Sequence, residues 1–155
     1  MKTVRDIMSP DPATCTPDTT IPEIARMMVE FDCGAIPVVD SDDEPRPVGI
    51  LTDRDIVCRL IAEGLNPLDC EASDCMTTPC ITVPVDSDVN AARDLFTQNK
   101  IRRLVVVDQN GCCCGMVSIA DLVLETSDTG IVREVSEPTE TPSEVQAKAK
   151  ETEPA

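Results

Sequence analysis

GILTDRDI (Gly49–Ile56) and GMVSIADL (Gly115–Leu122) are two stretches built to one plan: glycine, two apolar residues, a hydroxyl, two spacers, an aspartate. An apolar run into Thr52 or Ser118 reads as a strand ending where a helix begins. The hydroxyl is a good N-cap and the carboxylate three residues on suits the positive end of the helix. A glycine just before the junction allows another backbone to come close.

Working outward, the similarity extends over most of the chain. At an offset of 68, Asp6, Met8, Thr14, Asp18, Val38, Val39 and Asp40 fall on Asp74, Met76, Thr82, Asp86, Val106, Val107 and Asp108. Past a two-residue deletion the offset is 66, and Gly49, Asp55 and Val57 match Gly115, Asp121 and Val123. The chain is therefore a duplication. Its divisions are a first repeat over 1–60, a connector over 61–69 with breakers Gly64 and Pro67, a second repeat over 70–125, and a tail over 126–155.

Each repeat reads β-α-β-β-α. Ala13–Cys15 and Ile81–Val83 are short extended pieces. Thr20 and Asp88 cap helices whose apolar faces are Ile21, Ile24, Ala25, Met28 and Phe31 in one copy and Val89, Ala92, Leu95 and Phe96 in the other. AIPVVD and LVVVD are β-branched runs suited to buried strands. Asn110-Gly111 signals a tight turn before the strand that leads into Ser118. One such unit leaves an apolar face open, so the expected fold is α+β: two β-α-β-β-α repeats packed about a pseudo-two-fold axis. Residues 126–155, with seven acids, three bases and few large apolar side chains, predict a disordered acidic tail.

Composition narrows the function. With 29 acidic and 13 basic residues the net charge is −16, which repels nucleic acid and anionic membranes. Acids far in excess of lysine also suit a salt-rich cytoplasm, a halophilic habitat. No apolar leader or membrane span is visible, so a cytoplasmic location is expected. No histidine is present, which removes the commonest general base and metal ligand. The nine cysteines lack close paired zinc spacing, even in the run Cys112-Cys113-Cys114. They read first as small apolar residues, with a redox or metal sensor as the rival.

The motifs DIMS and DCMT, GAIPVVD and RRLVVVD, GILTDRD and GMVSIAD, in this order and twice, resemble the CBS-domain family, and the tandem pair resembles a Bateman module. The resemblance implies a regulatory binding module rather than an enzyme. It has clefts between the repeats for an adenosine-containing ligand, AMP, ADP, ATP or S-adenosylmethionine, and requires no cofactor. It also implies a homodimer and a separate effector protein.

By resemblance, Thr52 and Ser118 contact phosphate, Asp55 and Asp121 contact ribose, and Arg102 is the phosphate cation. Thr14, Thr82, Ile36 and Pro37 border adenine. Two readings stand for each junction: a helix cap, or a cap geometry that also holds a ligand. Strand alternation sends Arg102 and Arg103 to opposite faces, so one of them at most enters a given cleft. No aromatic is evident to stack on a base, which sets an expected affinity in the micromolar range, on the order of −8 kcal/mol. A ligand-free dimerisation module is the remaining alternative.

Overall fold

The computed structural model describes residues 2–136. The first half contains α2 (Ile21–Glu30), β2 (Ala35–Val39), β3 (Pro47–Thr52) and α3 (Asp53–Ile56), which runs on into a π-helical turn at Val57–Ile61. The second half repeats it with β4 (Thr82–Pro84), α4 (Val89–Asn99), β5 (Arg103–Val107), β6 (Cys113–Ser118) and α5 (Ile119–Thr126). Ahead of the first half lie α1 (Val4–Ile7) and β1 (Ser9–Pro10), and α6 (Gly130–Ser136) ends the described chain.

The second half holds a four-stranded sheet in the order β1-β6-β5-β4, with β4 parallel to β5 and the other pairs antiparallel. In the first half β2 pairs with β3, and single bridges at Cys15–Val38 and Ile50–Thr77 stand where the other half has β4 and β1. The expected strand at Ala13–Cys15 is thus reduced to one bridge. Both hairpins carry an irregularity at the same place, Val38/Val39 and Val106/Val107.

The leading residues of each half are exchanged. Val4 N–H donates to Ser87 O at 2.8 Å and Arg5 N–H to Val85 O at 3.0 Å; their duplicates Ala72 and Ser73 donate to Thr19 O and Pro17 O, both at 2.9 Å. Val4 is buried in the second half's core with Val83, Phe96, Leu104 and Leu122. Ala72 and Cys75 are buried in the first half's core with Ile24, Ile36, Leu51 and Leu60. The two junction glycines make this exchange possible. A Cβ on Gly49 would lie 2.9 Å from Thr77 O, and one on Gly115 would collide with the Met8 sulfur and sit 3.1 Å from Ser9 O.

Two expectations need correction. The tail does not begin at 126: α5 runs to Thr126, and α6 follows with Ile131 and Val135 buried in the second half's core. These two residues are four apart on one helical face, a spacing hidden by the polar composition around them. Residues 137–155 of the expected tail lie outside the described residues. In α2 the buried positions are Ile21 and Ile24, while Phe31 is 57% exposed. It occupies the C-cap with φ −94° and ψ 1°, so the helical period no longer governs its direction. No helix among the described residues is long and apolar enough to cross a membrane.

Candidate functional site

Both junctions form reciprocal capping boxes. Asp55 N–H donates to Thr52 Oγ1 at 3.1 Å and Thr52 N–H to Asp55 Oδ2 at 3.0 Å. In the duplicate, Asp121 N–H donates to Ser118 Oγ at 3.2 Å and Ser118 N–H to Asp121 Oδ2 at 2.8 Å. The capping reading therefore holds for all four residues. What separates the copies is the room beside them and the state of each carboxylate.

Beside Ser118 and Asp121 lies a cleft of about 500 Å³ drawn from both halves. One wall is β6 and the start of α5. The α2–β2 link, Phe31 to Ala35, and residues of the exchanged segment between Ser9 and Ala13 complete the lining. Asp121 spends Oδ2 on the cap, and no hydrogen bond to its Oδ1 is found among the described residues. Asp11 and Asp32, both in the left-handed backbone region at φ 48° and 50°, also line the cleft. Among the described residues its only lining cation is Arg103. Phe31, Pro12, Ala13, Ala35 and Met116 supply apolar surface, so an aromatic ring does face the cleft, contrary to the sequence expectation.

Asp55 is otherwise engaged. Thr77 Oγ1 donates to its Oδ1 and Oδ2 at 3.3 and 3.4 Å, and Arg59 Nε lies 3.6 Å from Oδ1. Arg59 also donates to Met76 O at 3.2 Å. Neither Thr52 nor Asp55 lines the cleft beside Asp121.

Arg102 does not line the cleft; Arg103 does. β5 starts at Arg103, which pairs with Ser118 across the ladder; Arg102 sits one residue before the strand, outside its alternation. Arg102 Nη2 donates to Ser136 Oγ at 3.3 Å in a neighbouring groove of about 620 Å³, which Arg103 and Ser118 also line. Lys100 Nζ donates to Glu134 O at 2.6 Å, so residues of α6 hold Lys100 as well as Arg102.

Ile36 is fully buried in the first half's core, and Pro37 is buried in β2 with its carbonyl accepting from Cys15 N–H at 3.0 Å. Thr14 and Thr82 are half-buried. None of these four lines the cleft; Ala13 and Ala35, one residue before Thr14 and Ile36, do.

All nine cysteines are free thiols. Burial pushes Cys15 up to about 12 and Cys75, Cys80 and Cys113 up to about 11. Such thiols stay protonated near neutrality and are poor nucleophiles and ligands. Among the described residues no group of three or more Cys, Asp or Glu side chains could hold a metal ion.

The CBS-domain model matches residues 4–62 and 72–128, and the chain belongs to the CBS-domain family. It is 39% identical over 120 residues to protein MK0525 of Methanopyrus kandleri; the match covers 77% of this chain and 60% of that protein, so the chain spans under two thirds of that relative's length. Among solved structures it resembles Hypoxic Response Protein I with two coordinated zinc ions, at 30% identity, TM-score 0.70, and 81% and 99% coverage of the two chains. It also resembles CBSX2 in complex with AMP, at 25% identity, TM-score 0.68 and 84% and 99% coverage. A further likeness is to the CBS domain pair of MJ0100 in complex with 5′-methylthioadenosine and S-adenosylmethionine, at 26% identity, TM-score 0.70 and 80% and 98% coverage.

Proposed function

We propose that the chain is a regulatory module that takes one adenosine-containing ligand in the cleft beside Asp121 and relays its presence to a separate protein. The observation that carries this reading is the cleft itself, with an open carboxylate oxygen on Asp121 at a helix start and an apolar lining that includes Phe31. Asp121 Oδ1 accepts from the ribose hydroxyls, and Phe31 and Met116 border the base. AMP bound to CBSX2, and 5′-methylthioadenosine and S-adenosylmethionine bound to MJ0100, support the ligand class.

Charge selects within that class. Three carboxylates, Asp11, Asp32 and Asp121, face the cleft against the single guanidinium of Arg103. A polyphosphate brought there meets like charge, whereas the sulfonium and ammonium of S-adenosylmethionine meet opposite charge. S-Adenosylmethionine is therefore favoured over ATP, ADP and AMP. Occupancy matters to a partner only through a difference in affinity between two arrangements of the halves. The exposed side chains Val57, Ile61, Leu65 and Leu68 support a second copy of the chain as one neighbour.

A thermal-shift panel tests this reading in salt-rich buffer. S-Adenosylmethionine at about a hundred times its Kd stabilises by roughly 2.7 kcal/mol. S-Adenosylhomocysteine, which lacks the sulfonium charge, gives a smaller shift, and ATP the smallest. A larger shift with ATP would refute the charge argument; no shift with any adenosine compound would refute the module's proposed ligand class.

A further inference from the structure

We infer that Arg59 makes the module single-sited by occupying the duplicate of the ligand site. The inference rests on the adenosine-binding reading and extends it to stoichiometry. The duplication gives two equivalent junctions, and both keep the hydroxyl and the acid. Only one carboxylate is open.

The difference comes from two pairs of matching positions. Ser9 of the exchanged segment lines the open cleft; its duplicate is Thr77, whose hydroxyl is bonded to both oxygens of Asp55. One turn beyond the acid, the first half has Arg59 where the second half has Glu125. Arg59 reaches back to Asp55 Oδ1 and across to Met76 O, bridging the carboxylate and the exchanged segment. Glu125 instead pairs with Lys2. Asp55 is 13% exposed, and its two oxygens are shared among Thr52 N–H, Thr77 Oγ1 and Arg59. A sugar diol approaching it would have to displace the guanidinium and the hydroxyl, leaving their donors unmatched. The Arg59 side chain is half exposed, so the ion pair alone is weak. What Arg59 blocks is the place and the lone pairs a sugar would use.

Equilibrium dialysis against S-adenosylmethionine and, in parallel, AMP tests this on the full chain. The variants are Arg59→Ala, Arg59→Gln, Asp121→Asn and Arg59→Ala/Asp121→Asn. The wild type is expected to bind one equivalent and Asp121→Asn none. Both Arg59 variants gain a second equivalent within about tenfold of the first site's Kd, the worth of about 1.4 kcal/mol. The double variant keeps one equivalent and loses it on adding Asp55→Asn.

Two equivalents in the wild type, or one in both Arg59 variants, would overturn the inference. No binding to the wild type but one equivalent in Arg59→Ala would overturn the Asp121 reading and leave the Arg59 block standing. No binding to any variant would overturn both. Melting temperatures of the Arg59 variants near the wild type's exclude loss of fold as the cause of a missing second site.

Discussion

Arg93 Nε donates to Asp128 Oδ2 at 2.6 Å, and Nη2 of the same guanidinium reaches Glu134 Oε1 at 3.3 Å. One side chain of α4 thus ties down both the approach to α6 and α6 itself. With Ile131 and Val135 packed beneath, this makes the C-terminal helix part of the second half. Ile131→Ala should cost about 2–5 kcal/mol, as for a deleted core methylene cluster. Arg93→Ala, which breaks a partly exposed pair, should cost about 1 kcal/mol or less. Urea unfolding of the two variants checks the order.

The same pair gives an acid dependence. The hydrogen bond from Arg93 holds the Asp128 carboxyl below the usual aspartate range, with the guanidinium charge adding to it. A carboxyl with a lower pKa folded than unfolded stabilises fully above the unfolded value of about 3.9, and that stabilisation is lost as pH falls through the folded value. Protection of α6 amides against hydrogen exchange should therefore drop below about pH 4, and Asp128→Asn should remove the drop.

At the alkaline end the thiols decide. Burial raises Cys15 to about 12 and Cys75, Cys80 and Cys113 to about 11, favouring the neutral form in the fold. A raised pKa stabilises below the unfolded value of about 8.5, and the effect is lost as pH climbs through the folded values. Stability should fall steadily above about pH 9. At pH 8 a disulfide reagent should label exposed Cys58 quickly and buried Cys15 and Cys75 only as fast as the chain opens. Fast labelling of Cys15 in the folded state would contradict its placement.

The junction glycines should differ from each other. A methyl on Gly49 meets the backbone oxygen of Thr77, whereas one on Gly115 first meets the flexible Met8 side chain. Both substitutions to alanine overpack, at about 1–3 kcal/mol, with Gly49→Ala the more costly. Thermal unfolding of the pair measures the order directly.

For the cleft, Phe31→Ala should weaken S-adenosylmethionine binding while leaving stability near the wild type, because the ring is already 57% exposed. Asp32→Asn should narrow the preference for S-adenosylmethionine over AMP. Calorimetric titration of each variant with both compounds reads these effects.

Much of this was legible in the residues. The duplication gave the two halves, the hairpins and both capping boxes, since local spacing alone sets them. It could not tell Arg102 from Arg103, because which face of a strand looks into a cleft depends on where β5 starts. Helical period puts Phe31 on the apolar face of α2, yet the residue sits one position past the helix's end. Asp55 and Asp121 looked alike because the signal that separates them lies outside the motif, at Arg59 and Glu125. Ile131 and Val135 were masked by a polar composition that reads as tail.

The exchanged opening segments have a mechanical consequence. Val4 belongs by descent to one half and by packing to the other, and Ala72 likewise. Cutting the chain anywhere in 61–69 would leave two fragments clasped by each other's first turns rather than two free lobes. Whatever presses on Ser9 to Ala13 from within the cleft pushes on a lever whose near end is anchored in the opposite lobe.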